Sequence, residues 1–161
     1  MSSSLKDKTN ALRLLEAHGI AYQLFTFPPE IHSATGVAQI LGLPPQQVYK
    51  TLVVLRSQGR PLLVMIAGDR ELDLKRVAAA VGDKKVRMAS QREAETLTGL
   101  QVGGISALAL LGRPFDVFID RPALALEQIV VSAGKRGMNV QLAVSDLVRI
   151  THARVVEATA P

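Results

Sequence analysis

With 161 residues, 48% of them hydrophobic, the chain has enough apolar mass for one aliphatic core, and a single domain over residues 1–161 is expected. Aromatics at 4% and no Trp leave few rings on which a run of unstacked bases could lie, and zero Cys excludes disulfides, thiolate metal ligands and thiol nucleophiles together. The net charge of +5 favours a polyanionic partner. Met1 to Lys8 lacks the apolar segment of a signal peptide, and no apolar run approaches the ~20 residues that span a bilayer, so a soluble, cytoplasmic protein without membrane contact is expected.

In chain order, Asp7 or Thr9 caps a first helix that places Leu5, Leu12 and Leu15 on one side and stops at Gly19. Ile20 to Phe27 reads as a strand closed by Pro28-Pro29. Ser33 or Thr35 opens a short helix ending at Gly42, and Pro44 begins a helical turn that leads into a strand from Val48 to Leu55. The turn at Ser57 to Arg60 makes Pro61 to Ala67 its hairpin partner. Asp73 starts an amphipathic helix with Leu74, Val77, Ala78 and Val81 on one stripe, stopped by Gly82. Lys84 to Met88 is a short basic strand, whose charges read as a solvated face. Ser90-Gln91-Arg92-Glu93 is a capping box for a helix ending near Gly99. Phe115 to Ile119 is a strand, Ile129 to Ser132 and Met138 to Leu142 are two more around an Ala133 to Gly137 loop, Ser145-Asp146 caps a last helix, and Val155-Val156 adds an edge strand. Irregular interleaving of strands and helices points to an α/β (α+β) mixed sheet or barrel with helices outside.

Three features carry chemistry. Gly103-Gly104, within Val102 to Ser106, can bring main-chain N–H groups directly against a carbonyl or phosphate oxygen, although Gly-Gly also serves as a plain bend. Lys50 shares a strand face with Val48, Leu52 and Val54, where a charge is out of pattern unless its stem covers apolar surface and its ammonium reaches water. Ser132 to Gly137 forms a second glycine-rich polar segment. Phosphate-loop, dinucleotide, zinc-protease and nucleophile-elbow motifs are absent, and His18, His32 and His152 stand singly in unrelated segments, each read as surface or cap, so no metal site is expected. An enzyme of this composition would work by positioning and polarising a substrate that is already reactive.

Gln47 to Leu52, Glu71 to Ala78, Val102 to Ser106 and Val131 to Gly137, in this order and spacing, resemble the YbaK/EbsC family of aminoacyl-tRNA deacylases, relatives of the editing domain of bacterial prolyl-tRNA synthetases. The resemblance implies a YbaK-like mixed-sheet barrel with flanking helices and cofactor-independent hydrolysis, in trans, of the ester on mischarged tRNA, above all cysteine or another small residue on proline tRNA. It implies catalytic roles for Lys50, at the tRNA 3′ end, and for Gly103 and Gly104, at the aminoacyl carbonyl. Substrate binding falls to Ile105, Ser106, Ser132 and Gly134. The expected partners are the acceptor end of an aminoacyl-tRNA and, as a second candidate, prolyl-tRNA synthetase. Many members carry proline where this chain has Ala107, and a difference in the pocket wall is expected there. The alternative from another class is a non-catalytic tRNA-binding module of the same fold.

Overall fold

The structure is a computed structural model that describes residues 8–161, so Leu5 and Asp7 of the expected first helix lie outside the described residues. The elements run α1 (Asn10–Ala17), β1 (Gln23–Thr26), α2 (Ala34–Leu41), β2 (Tyr49–Arg56), β3 (Leu62–Ala67), α3 (Leu74–Val81), β4 (Val86–Met88) and α4 (Gln91–Thr98). After a long irregular segment come β5 (Asp116–Asp120), a 3-10 turn (Arg121–Ala125), β6 (Gln128–Lys135), β7 (Met138–Ala143), α5 (Val144–Thr151) and β8 (Arg154–Val156).

Two sheets result. One has the order β1-β7-β6, all antiparallel; the other has the order β4-β2-β3-β5-β8, with parallel pairing of β3 to β5 and of β5 to β8. They are stitched where Val48 bridges Val130 and the Val130 N–H donates to the Gln47 carbonyl at 3.0 Å. The mixed α/β architecture is the one expected. Between the sheets lies the main core, built from Tyr49 and Val53 of β2, Leu63 and Met65 of β3, Val131 of β6 and Val140 of β7, closed by Leu12 and Leu15 of α1 and Leu147 of α5. Val77 and Ala78 of α3 cover the outer face of the larger sheet over Val54, Leu62, Val64 and Ile66. With apolar contacts on both faces, β3 is buried at every residue, as a central strand must be. Val37 and Ala38 of α2 pack on Val48 and Val130, over the seam of the two sheets.

Helix ends follow local chemistry. Thr9, Ser33, Asp73 and Ser90 each accept a main-chain hydrogen bond from the first turn of the helix that follows, and Gly42, Gly82 and Gly99 end their helices in the left-handed conformation. Two expectations are corrected. The N-cap of α5 is Ala143, with no side-chain cap; the Val144 N–H is satisfied instead by the Glu127 carbonyl at 3.0 Å, and Asp146 pairs with Arg149. The expected Ala133 to Gly137 loop is largely strand, because β6 continues to Lys135 through an irregularity between Ser132 and Lys135, leaving only Arg136-Gly137 as the turn.

The capping box of α4 supplies a pH test. Glu93 accepts from the Ser90 N–H at 2.9 Å and from both Arg87 terminal nitrogens at 2.9 and 2.8 Å, and the Arg87 guanidinium, followed by the Ser90 N–H, holds its carboxyl down to about 2. A lowered folded-state value makes the ionised group stabilising above its ordinary value of 4.5, with that stability lost as pH falls toward 2. The melting temperature of the native protein should therefore exceed that of Glu93→Gln at pH 5, with the gap narrowing by pH 2.5. A gap independent of pH would refute the ionic origin.

Candidate functional site

Where β4 and β6 diverge from β2, a cleft of about 420 Å³ opens. Its walls are His32 to Thr35 and Val37 at the start of α2, Val48 to Val53, Gly68 after β3, Met88, Ala89, Gln91 and Ala94, then Val102, Gly103 and Ile105, and Ser132 with Asn139. The cleft exists because β2 is paired on one edge only at its two ends: Val48 meets β6, Val54 to Arg56 meet β4, and the residues between meet neither.

Lys50 enters this cleft, half-buried, with Nζ donating to the Gly68 carbonyl at 3.3 Å. Gly68 permits the arrangement, since a Cβ there would stand 2.7 Å from the Ala34 Cβ and 3.0 Å from the Val48 carbonyl oxygen. Its own N–H donates to that Val48 oxygen at 2.8 Å, so α2, β2 and the end of β3 are drawn together around the lysine.

The glycine pair splits into two jobs. Gly104 N–H donates to the Gln101 carbonyl at 2.7 Å, closing a four-residue turn in which Gly103 sits at the third position with φ +93°. That is the pattern of a type II turn, whose third position favours glycine. The Gly103 N–H has no acceptor among the described residues, and Gly103 lines the cleft beside His32. Gly104 does not line it: a Cβ there would stand 2.9 Å from the Arg136 nitrogen and 3.0 Å from the Lys135 carbonyl carbon, so the absent side chain lets the turn lie on the β6–β7 hairpin. Two more contacts fix the turn. Val102 N–H donates to Glu95 Oε2 at 2.8 Å, and the Val102 carbonyl accepts from Arg136 Nε at 2.7 Å.

Of the other expected substrate-binding residues, Ile105 and Ser132 line the cleft, whereas Ser106 and Gly134 stand behind its wall. Ser106 is buried with Oγ accepting from the Ala109 N–H at 3.2 Å, and Gly134, at φ +98°, donates its N–H to Ser132 Oγ at 3.1 Å. Ala107 is likewise buried in the main core and not a wall residue.

Sequence reasoning missed several wall residues. Asn139 pairs in register with Ser132 and is 6% exposed, yet its carboxamide bonds to no described residue and borders the cleft. In Met138-Asn139-Val140-Gln141-Leu142 it looked like any polar position on a half-solvated strand. His32, read as a surface residue, is exposed but stands at the cleft mouth. Tyr49 lies at the cleft floor; burial first, then the nearby Asp120 charge, pushes its phenol up to about 12, so the hydroxyl is neutral across the physiological range. Among the described residues no group of His, Asp or Glu side chains is placed to hold a metal ion, and no helix is long and apolar enough to cross a membrane.

Residues 28–150 match the aminoacyl-tRNA editing domain model. The chain is 37% identical over 96% of its length, and 94% of the relative's, to the Enterococcus faecalis protein named "Putative Cys-tRNA(Pro)/Cys-tRNA(Cys) deacylase EbsC". It is also 28% identical, over 65% of its length, to the proline–tRNA ligase of Aquifex aeolicus, where the match spans only 18% of that enzyme. The solved structure of hypothetical protein APE2540 superposes with a TM-score of 0.86 at 26% identity, covering 94% of this chain and 99% of that one. A family model over most of the chain and a relative aligned nearly end to end leave one conclusion: the chain belongs to the aminoacyl-tRNA editing domain family.

Proposed function

We propose that the protein is a trans-acting aminoacyl-tRNA deacylase whose substrates are small amino acids, cysteine foremost, mischarged on proline tRNA. The observation that carries this reading is the convergence on one cleft of a lysine ammonium, of Gly103 with an N–H that no described residue accepts, and of the polar side chains of Ser132 and Asn139. An aminoacyl ester needs far less activation than an amide, so polarisation and positioning suffice. The acyl carbon–ribose oxygen bond breaks; the attacking group, water or the substrate's own thiol, adds to the carbonyl carbon and passes its proton to the departing ribose oxygen. When water attacks, the products are a free amino acid and uncharged tRNA. When the thiol attacks, the acyl group leaves as an internal thioester.

In this scheme Gly103 N–H donates to the developing oxyanion, Lys50 Nζ meets the phosphate of the terminal nucleotide, and Ser132 and Asn139 orient the acyl group. Gly104, Ser106 and Gly134 hold those parts in place. Small side chains on the wrong tRNA are the problem that a synthetase pocket discriminates poorly and a second sieve corrects. Prolyl-tRNA synthetase, as the source of such products, is a second partner of this reading, and the cytoplasm its setting.

The test is a deacylation panel: proline tRNA charged with cysteine, alanine, serine or proline, with release of the amino acid followed in time. Cysteine should be released fastest and proline spared. If no charged tRNA is turned over but tRNA still binds, the protein is the non-catalytic module instead.

A further inference from the structure

The larger sheet carries a second cavity, which shares no wall residue with the cleft. β3, β5 and β8 run parallel, and where the chain turns away at their carboxyl ends it leaves a pocket of about 200 Å³, the place at which open α/β sheets take ligands. Arg70 follows β3, Arg76 stands on α3 and Arg121 follows β5. Three segments far apart in the chain thus bring guanidinium groups to one pocket.

The protein itself makes little use of these charges. Asp120, in the same wall, is 1% exposed, and its two oxygens accept from the Ala158 N–H at 2.8 Å and the Thr159 hydroxyl at 2.5 Å. Arg70 donates only to neutral oxygens, the Thr159 hydroxyl at 3.1 Å and the Ala160 carbonyl at 3.0 Å. Arg76 lies 3.5 Å from Asp73 in a solvent-open pair that holds little energy. Arg121 is exposed, with neither a hydrogen bond nor an ion pair among the described residues. One exposed carboxylate, Glu157, opposes them in the wall.

The pocket adjoins the lysine end of the cleft. Tyr49 pairs with Ala67 and Lys50 with Ile66, so β2 begins where β3 ends. Lys50 Nζ rests on the Gly68 carbonyl, and Arg70 follows two residues on, past the exposed Asp69, at most about 7 Å along the chain. Tyr49 stands between the two sites: its phenol, raised first by burial and next by Asp120, is lowered by Arg70. A strand with its terminal phosphate on Lys50 has the arginines next along this rim.

We propose that the pocket is a second phosphate site, which takes a backbone phosphate of the tRNA acceptor strand upstream of the ester, an inference that rests on the deacylase reading and extends it. Arginine's planar fork matches phosphate oxygens in a way that a point charge does not. Arg121 and Arg76 make the direct contacts, and Arg70, held by Thr159 and through it by Asp120, turns its remaining donors to the same group. Such a contact sets the register of the RNA and reads no sequence. Free phosphorylated molecules share this chemistry; continuity with Lys50 favours the RNA.

The experiment measures binding of uncharged proline tRNA to the whole protein across a salt series, with inorganic phosphate as a separate probe. Arg121→Gln and Arg76→Gln should each weaken tRNA binding and reduce the magnitude of the salt slope by about one, whereas Glu157→Gln, which removes the opposing charge, should tighten binding. Arg70 is left in place because it also ties down the chain after β8. In turnover, kcat/KM on charged tRNA should fall in both arginine variants relative to kcat/KM on the same amino acid esterified to adenosine, which has no upstream phosphate. An equal fall on both substrates would mark a structural role and overturn the contact. Unchanged slopes in both variants, or inorganic phosphate that binds at these arginines without competing with tRNA, would overturn it too. If tRNA binds with the expected slopes but no charged tRNA is turned over, the site stands and the deacylase reading falls. Turnover with native slopes and native substrate ratios in both variants would do the reverse.

Discussion

Lys50→Ala should lower deacylation by roughly 10² or more, the cost of misplacing the ester once the terminal phosphate is no longer held, while the protein melts as before. Stability is spared because, among the described residues, the ammonium has a single partner, the Gly68 carbonyl at 3.3 Å, and the half-buried side chain has no carboxylate beside it that would be orphaned. An ammonium held by one long hydrogen bond to a neutral oxygen keeps most of its donor capacity for a ligand. If that ligand is a phosphate, tRNA binding should lose about one unit of salt slope along with the rate. Native turnover in a folded Lys50→Ala protein would remove Lys50 from the mechanism. Lost turnover with an unchanged salt slope would move the ammonium from the phosphate to the acyl carbonyl.

Much of the fold is written locally. Ser90 and Glu93 announce their helix because both halves of a capping box lie within one turn, and Asp73 with Gly82 brackets α3 for the same reason. Lys50 is legible too, since a cation breaks the apolar alternation of β2. The cleft is not. It depends on where β4 and β6 stop pairing with β2, a relation among segments far apart in the chain, and nothing near Met88, Gln91 or Asn139 encodes it. The same limit explains why Gly103 and Gly104 read alike. Only the turn closed by Gln101 and the approach of the β6–β7 hairpin give one an open N–H and the other a spent one. Ser106 and Gly134 sit within the right motifs, but neighbouring positions on a bend or bulge face opposite ways, which puts them behind the wall.

Gly103→Val should abolish measurable deacylation per folded molecule, and its comparison with Gly104→Ala separates main-chain catalysis from bending. Valine at position 103 must adopt φ near +93° and set its Cβ 2.5 Å from the His32 Cβ, so the turn has to give, and with it the direction of the Gly103 N–H. Loss of one oxyanion donor alone accounts for about 10² to 10³ in rate. Gly103→Ala applies the same strain with less bulk and provides a folded sample should valine prevent folding. At position 104 the N–H is already committed to Gln101 and a Cβ meets main-chain atoms of Lys135 and Arg136, which cannot swing aside as a side chain can. Gly104→Ala should therefore lower the melting temperature more than it lowers the rate of the molecules still folded. Turnover and thermal melting measured on the same samples decide the matter. Should both position-103 variants lose stability yet turn over normally, the Gly103 N–H is not the oxyanion donor, and the carbonyl would be sought at Ser132 and Asn139 across the cleft.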